Sequence, residues 1–205
     1  DGLDGLAGGV SAIAAITMGI VALIQGQVEV TAAALVLVAA IMGFLPYNFF
    51  PAKTFMGDGG SNFLGFTLAC LAIMGTAKSA ALISLFIPIV ILGIPIFDTF
   101  FAIIRRINTK TPIFRPDKNH LHHRLMAIGM SHYRSVLVIY GVSGFFGAIA
   151  ITLSFTTNPK ATLVLAVLLF IIVIGADKIG MFTDGGKIET KIPESRDTQN
   201  IEMKS

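Results

Sequence analysis

Three histidines fall within four positions at His120-Leu121-His122-His123, and Arg115, Lys118 and Arg124 flank them. Imidazoles at that density can bind a metal, move protons or hydrogen-bond phosphate oxygens. Zinc is the obvious competitor. Helical histidine ligands, however, normally stand at i and i+4, and no cysteine or second histidine cluster completes a tetrahedral set. The neighbouring cations also oppose binding of another cation and favour an anion. Phosphate contact is therefore preferred, with a solvated polar loop as the alternative.

Three further segments could carry chemistry. Asp1 and Asp4, in Asp1-Gly2-Leu3-Asp4-Gly5-Leu6-Ala7-Gly8-Gly9, would share one face of a helical turn and could hold a hydroxylated or cationic group together. The same residues also suit a Gly-rich turn with Asp near a helix N-terminus. In Pro51-Ala52-Lys53-Thr54-Phe55-Met56-Gly57-Asp58-Gly59-Gly60-Ser61-Asn62, glycines permit close backbone approach, Ser61 or Asn62 can cap the following helix, and Asp58 offers a hard oxygen ligand for Mg²⁺. Its alternative is a capped re-entrant turn in which Asp58 satisfies backbone donors. Finally, Pro88, Gly93 and Pro95 interrupt an apolar run that ends in Asp98, Arg105 and Arg106. An acid beside a broken helix often marks a site, yet pairing of Asp98 with a basic neighbour is the favoured reading.

The elements that must position these segments are membrane helices. The chain is 54% hydrophobic and only 13% charged, with a mean hydropathy of +0.80, outside the range of ordinary soluble domains. Apolar stretches run over Val10 to Ile24, Val30 to Leu45, Phe63 to Thr76, Ala80 to Ile104, Val136 to Phe155 and Ala161 to Ala176. Several fall short of the ~20 residues of a perpendicular span, a deficit that interfacial flanks and bilayer thinning cover. No segment shows the alternation of a barrel strand. The expectation is an all-α polytopic membrane protein of about six transmembrane helices, one of them broken, over residues 1–179. Residues 180–205 are polar and aperiodic and read as a disordered cytoplasmic tail.

Basic residues set the orientation. With the N-terminus in the cytoplasm, only Lys78 and Lys160 of the fifteen basic residues lie outside. A net charge of +3 and a pI near 9.1 then describe a basic cytoplasmic face suited to anionic headgroups and phosphorylated substrates. Nucleic acid is disfavoured, since no aromatic-interleaved basic stripe is present. The single cysteine, Cys70, cannot form an intrachain disulfide and reads as a packing residue. The first residue is Asp rather than Met, so a fragment is expected.

Together these motifs carry a resemblance. Asp1-Gly2-Leu3-Asp4-Gly5-Leu6-Ala7, Tyr47-Asn48 followed by Pro51 to Asp58, Gly93-Ile94-Pro95-Ile96-Phe97-Asp98-Thr99, and Pro116-Asp117-Lys118-Asn119-His120-Leu121-His122-His123-Arg124-Leu125 resemble the polyprenyl-phosphate N-acetylhexosamine-1-phosphate transferases. The likeness runs from Asp1 to about Ile179, and four motifs in order make it specific. Leu121 between the first two histidines is similar to the branch that uses UDP-N-acetylglucosamine for teichoic acid, O-antigen or related envelope polymers, the teichoic-acid linkage type above all.

The resemblance implies transfer of N-acetylglucosamine 1-phosphate to undecaprenyl phosphate with release of UMP, in the bacterial plasma membrane at its cytoplasmic face. It implies that Asp1 and Asp4 hold the nucleoside end of the donor, that Phe55 stacks on uracil, and that Asp58 coordinates Mg²⁺, with Mn²⁺ as the alternative. His120, His122 and His123, with Arg124, would bind the diphosphate or lipid phosphate and the sugar side. Asn48 and Lys53 of the second motif join the substrate-binding set. Membrane lipid is an implied partner and a homodimer is left open. The family's paired aspartates and the helices preceding its first motif have no counterpart here, so this chain alone is expected to be inactive. The acceptor monoester is already nucleophilic, and the barrier lies in bringing two anions together, which Mg²⁺ and protein cations would relieve.

Two other classes stay open. A secondary transporter would explain the broken helix and Asp98, but it predicts polar residues near mid-membrane in several helices. A catalytically inactive membrane assembly partner is the second.

Overall fold

The computed structural model describes residues 2–76, 82–108 and 120–155, and beyond them Val167 and Ile171 alone. Its elements are α1 (Leu6–Ile24), α2 (Val28–Asn48), α3 (Gly57–Thr76), α4 (Leu82–Ile91), α5 (Gly93–Asn108), α6 (Leu121–Ala127) and α7 (His132–Ser154), with no strand among the described residues. The protein is an all-α polytopic membrane protein. Of the described helices, α1, α2 and α7 are long and apolar enough to cross a bilayer, and Gly93–Ile104 is a shorter apolar segment.

Helix α1 lies at the centre and packs against α2, α3, α4 and α7. Its sequence explains that place. Gly8, Gly9, Ala12, Ala14, Ala15, Gly19 and Ala22 are buried, and small side chains let helix backbones approach where no water drives association. Gly19 meets the β-carbon of Ala34 on α2, and Gly147 on α7 meets the Thr17 side chain. Helix α2 buries one stripe, Val30, Ala34, Leu37 and Ile41, at helical spacing. Its opposite face, with Leu35, Val36 and Met42, is apolar and exposed, as lipid contact requires.

The broken span is present. Leu92 is a turn between α4 and α5. Pro95 has no N–H to offer the carbonyl of Ile91, so the ladder lapses there and resumes with Ile96 N–H to Leu92 O at 3.1 Å. The Phe146 ring lies where a side chain on Gly93 would have to stand, so α7 packs directly on the break.

The hydropathy reading starts several helices late, α1 at Val10 rather than Leu6 and α7 at Val136 rather than His132, and it omits one helix. Helix α3 starts at Gly57 rather than Phe63, because the polar stretch Gly57 to Asn62 forms its first turns. The histidine segment is the short helix α6 rather than a loop. The stretch Ala161 to Ala176 lies outside the described residues apart from Val167 and Ile171, as do Lys78, Lys160 and the tail 180–205.

Helix connections alternate between two ends of the bundle. At one end the α1–α2 turn passes through Gly26 (φ +71°), and Gln27 Nε2 donates to Gly75 O at the end of α3 (2.8 Å). At the other end lie the start of α1, the end of α2 and the start of α3, where the motifs gather.

Candidate active site

The N-terminal loop is clamped on three sides. Gly5, at φ +79°, precedes α1; its N–H donates to Asn48 Oδ1 (3.2 Å) and its carbonyl accepts the Tyr140 hydroxyl from α7. Asp4 Oδ2 accepts the Ala52 N–H (3.1 Å), and Asn48 Nδ2 donates to Thr54 O (3.0 Å). Lys53 and Thr54 N–H groups both donate to Tyr47 O, which folds the loop after α2 back onto that helix. The first two motifs are therefore one hydrogen-bonded unit. Asn48 is buried with both ends of its amide used inside the protein, and one Asp4 oxygen is likewise engaged.

Outside that clamp the second motif is open. Phe55 is 75% exposed, and Lys53 and Asp58 are exposed as well. Asp58 stands in the first turn of α3, where the helix N-terminus favours negative charge, and Ser61 Oγ donates to its carbonyl. Among the described residues no protein donor engages the Asp58 carboxylate.

The histidines are organised by Asp98. His120 is the N-cap of α6 but its side chain makes no cap bond. Instead Asp98 Oδ1 accepts the Leu121 N–H (2.9 Å), one of the donors a helix start leaves without an intrahelical partner. Asp98 Oδ2 stands 2.8 Å from His120 Nδ1. The partner of Asp98 is thus a histidine of the candidate site, 22 residues along, so the pairing does not separate a structural role for Asp98 from a functional one.

The rings of His120 and His122 are nearly parallel with centroids 6.1 Å apart, and those of His122 and His123 lie 4.2 Å apart. His122 is 8% exposed, and its Nε2 has no hydrogen-bond partner among the described residues. Gly2 abuts that ring so closely that a side chain there would collide with it. Burial, reinforced by His123 and His120, pushes the His122 imidazole down to about 4, which keeps it neutral at pH 7. His123 is exposed and Arg124 follows on the same helix, half-buried.

These histidines line one end of a cleft of about 880 Å³. Its remaining walls are largely apolar, with Leu6 and Val10 of α1, Leu68 of α3, and Ile96, Phe100 and Ile103 of α5. Ser61, one turn beyond Asp58, also reaches it. Among the described residues no three His, Cys, Asp or Glu side chains group to form a metal cage. Asp1, Arg115 and Lys118 lie outside the described residues.

Sequence reasoning missed two members of this end of the bundle. His132, the first residue of α7, stacks on Phe50 (centroids 4.5 Å) with its Nε2 3.5 Å from the Asp4 carbonyl. Tyr140 closes on Gly5 and fills the space beside Gly9. Gly5 and Gly9, four apart in a Gly-rich start, were the available signal for a ring packed there.

Residues 1–76 match the family described as glycosyl transferase family 4. Over 191 residues, 93% of this chain and 53% of the relative, the sequence is 49% identical to a Bacillus subtilis protein named probable undecaprenyl-phosphate N-acetylglucosaminyl 1-phosphate transferase. By residues 1–76 the chain is similar to members of glycosyl transferase family 4. A decaprenyl-phosphate N-acetylglucosaminephosphotransferase of Mycobacterium leprae is 42% identical over 183 residues, 79% of this chain and 45% of the relative. A phospho-N-acetylmuramoyl-pentapeptide-transferase of Halalkalibacterium halodurans is 40% identical over 154 residues, 75% of this chain and 45% of the relative. The chain spans about half the length of the curated relatives it matches.

Proposed function

We propose that this chain forms part of an enzyme that transfers N-acetylglucosamine 1-phosphate from UDP-N-acetylglucosamine to undecaprenyl phosphate, releasing UMP. The observation that carries the proposal is the cleft, which joins a histidine cluster to apolar walls drawn from three helices. A polyprenyl phosphate has the same two-part character, an anionic head and an apolar chain. The relatives' names give the rest, since the B. subtilis and M. leprae proteins are named for N-acetylglucosamine phosphate transfer and a polyprenyl phosphate.

In this reading His120, His122 and His123, with Arg124, hold the phosphates, and neutral His122 does so by hydrogen bonding without adding charge. Phe55, exposed at the loop tip, receives the uracil ring, and Lys53 beside it meets the donor's anionic side. Asp4 and Asn48 act from behind, holding the loop that carries Phe55 through Ala52 and Thr54. Asp1 belongs to the nucleoside end by likeness alone.

A divalent cation fits Asp58, because its carboxylate is exposed and unengaged among the described residues, and Mg²⁺ is usually bound by one or two carboxylates with waters and substrate phosphates rather than by a protein cage. Bound there, Mg²⁺ or Mn²⁺ would neutralise the diphosphate and stabilise the departing UMP. The excess of basic residues that the sequence carries in the connections with the motifs supports a cytoplasmic face for this end, the side from which the nucleotide sugar would enter. The lipid product would start a cell-envelope polymer such as teichoic acid.

The test uses the complete polypeptide in membranes with radiolabelled UDP-N-acetylglucosamine and undecaprenyl phosphate. Label extracted into the lipid phase is expected. Label that instead accumulates inside sealed vesicles as soluble sugar would favour a transporter. Neither outcome would leave the reading of an inactive assembly partner.

A further inference from the structure

One carboxylate in the cleft does two things at once. Asp98 accepts the Leu121 N–H through Oδ1 and faces His120 Nδ1 through Oδ2, at 2.9 and 2.8 Å. A carboxylate only accepts, so the ring must donate from Nδ1. In the neutral imidazole the proton then sits on Nδ1 and the lone pair on Nε2. The Leu121 bond fixes the same segment through the backbone, so ring and main chain are referenced to one side chain on α5. Helix α5 is itself held by the packing of α7 on the break at Gly93.

We propose that Asp98 is a positioning residue for this site: it holds the His120 proton on Nδ1, so that the Nε2 lone pair in the cleft takes the remaining proton of a phosphate monoester and the resulting imidazolium donates that proton back as a hydrogen bond to the phosphate oxygen. The inference rests on the transferase reading for its effect on turnover, while the tautomer itself does not depend on that reading. Asn in place of Asp98 separates the two bonds. Its Oδ1 can still accept from Leu121, so the cap of α6 survives. Its Nδ2 presents N–H groups where Oδ2 stood, which requires a lone pair on Nδ1 and moves the imidazole proton to Nε2.

The experiment labels the complete protein with ¹⁵N-histidine and assigns the His120 resonances by loss in His120→Ala. Wild type should show Nδ1–H and Asp98→Asn should show Nε2–H. In parallel, kcat and KM are measured for Asp98→Asn in the wild-type and His120→Ala backgrounds. With a wrong tautomer, kcat should fall by about 10²–10⁴-fold at nearly unchanged KM and thermal midpoint, and Asp98→Asn should cost almost nothing further in His120→Ala. A wild-type Nε2–H tautomer, a normal kcat in Asp98→Asn, or an equal loss in both backgrounds would each overturn the proposal. If Asp98→Asn does not fold, Asp98→Glu enters the same cycle, where it should keep Nδ1–H and lose turnover only when His120 is present. If wild type transfers no sugar phosphate, the transferase reading fails and the resonances alone decide the tautomer.

Discussion

Asn48 and Gly5 are 43 residues apart, and the side chain of the first accepts the backbone N–H of the second at 3.2 Å. The other end of that amide holds Thr54 O, so one buried side chain joins the start of α1 to the loop that presents Phe55. Asn48→Leu would leave both backbone groups without their partner, at about 1–3 kcal/mol each. Thermal unfolding in detergent should show a loss of that order, with weakened donor binding following from the loosened loop. Asn48→Asp should be intermediate, since it keeps the acceptor for Gly5 and sets an acceptor against Thr54 O.

Phe55 offers an exposed ring at the tip of that loop. Phe55→Ala should raise the KM or Kd for the nucleotide sugar about 5- to 150-fold, the value of ~1–3 kcal/mol of base stacking, with a smaller effect on the lipid acceptor. Phe55→Tyr should be tolerated better than Phe55→Leu. Leu behaving as wild type would remove the stacking role.

Acid should destabilise the protein through His122. Its folded pKa is depressed to about 4 against an ordinary 6.5, so the unfolded chain takes up the proton first as pH falls. The stability present above pH 6.5 should therefore decline between about 6.5 and 4 and level off below. His122→Gln should flatten that part of the profile. An unchanged slope in thermal midpoint against pH would show that His122 is solvated and protonates freely.

How much of this was legible in the sequence depends on the distance each signal had to cover. Apolar runs found α1, α2 and α7 because ~20 residues of hydropathy is a local property. The same measure began α3 late at Phe63, since Gly57 to Asn62 is polar although helical. It missed α6, whose seven residues are too few to show a period. Pro88, Gly93 and Pro95 announced the break in the fourth span, as backbone chemistry allows. The pairing of Asp98 with His120 was legible only as a need for some partner, because which base meets an acid across 22 residues is decided by packing. The role of Asn48 was not legible, since a polar residue in a motif gives no sign of being buried with both ends satisfied.

Asp58 carries the metal proposal. Asp58→Asn keeps shape but removes the charge that holds a hard cation, so turnover should fall by roughly 10³-fold, the several kcal/mol a metal supplies to phosphoryl transfer. The residue is exposed and its carboxylate unengaged among the described residues, so the thermal midpoint should hardly move, within about 0.5 kcal/mol. A Mg²⁺ titration of transfer by the complete protein checks both. Normal activity at unchanged Mg²⁺ dependence would rule out the ligand role.

The central claim is that a sugar phosphate, and not a bare sugar, passes to the lipid. UDP-N-acetylglucosamine labelled with ³²P at the β-phosphorus distinguishes the two, because that atom lies between the sugar and the bond proposed to break. With the complete polypeptide and undecaprenyl phosphate, the label is predicted to move into the lipid extract while unlabelled UMP appears in the aqueous phase in equal amount. Label that stays in the aqueous phase as UDP while N-acetylglucosamine enters the lipid would contradict the account.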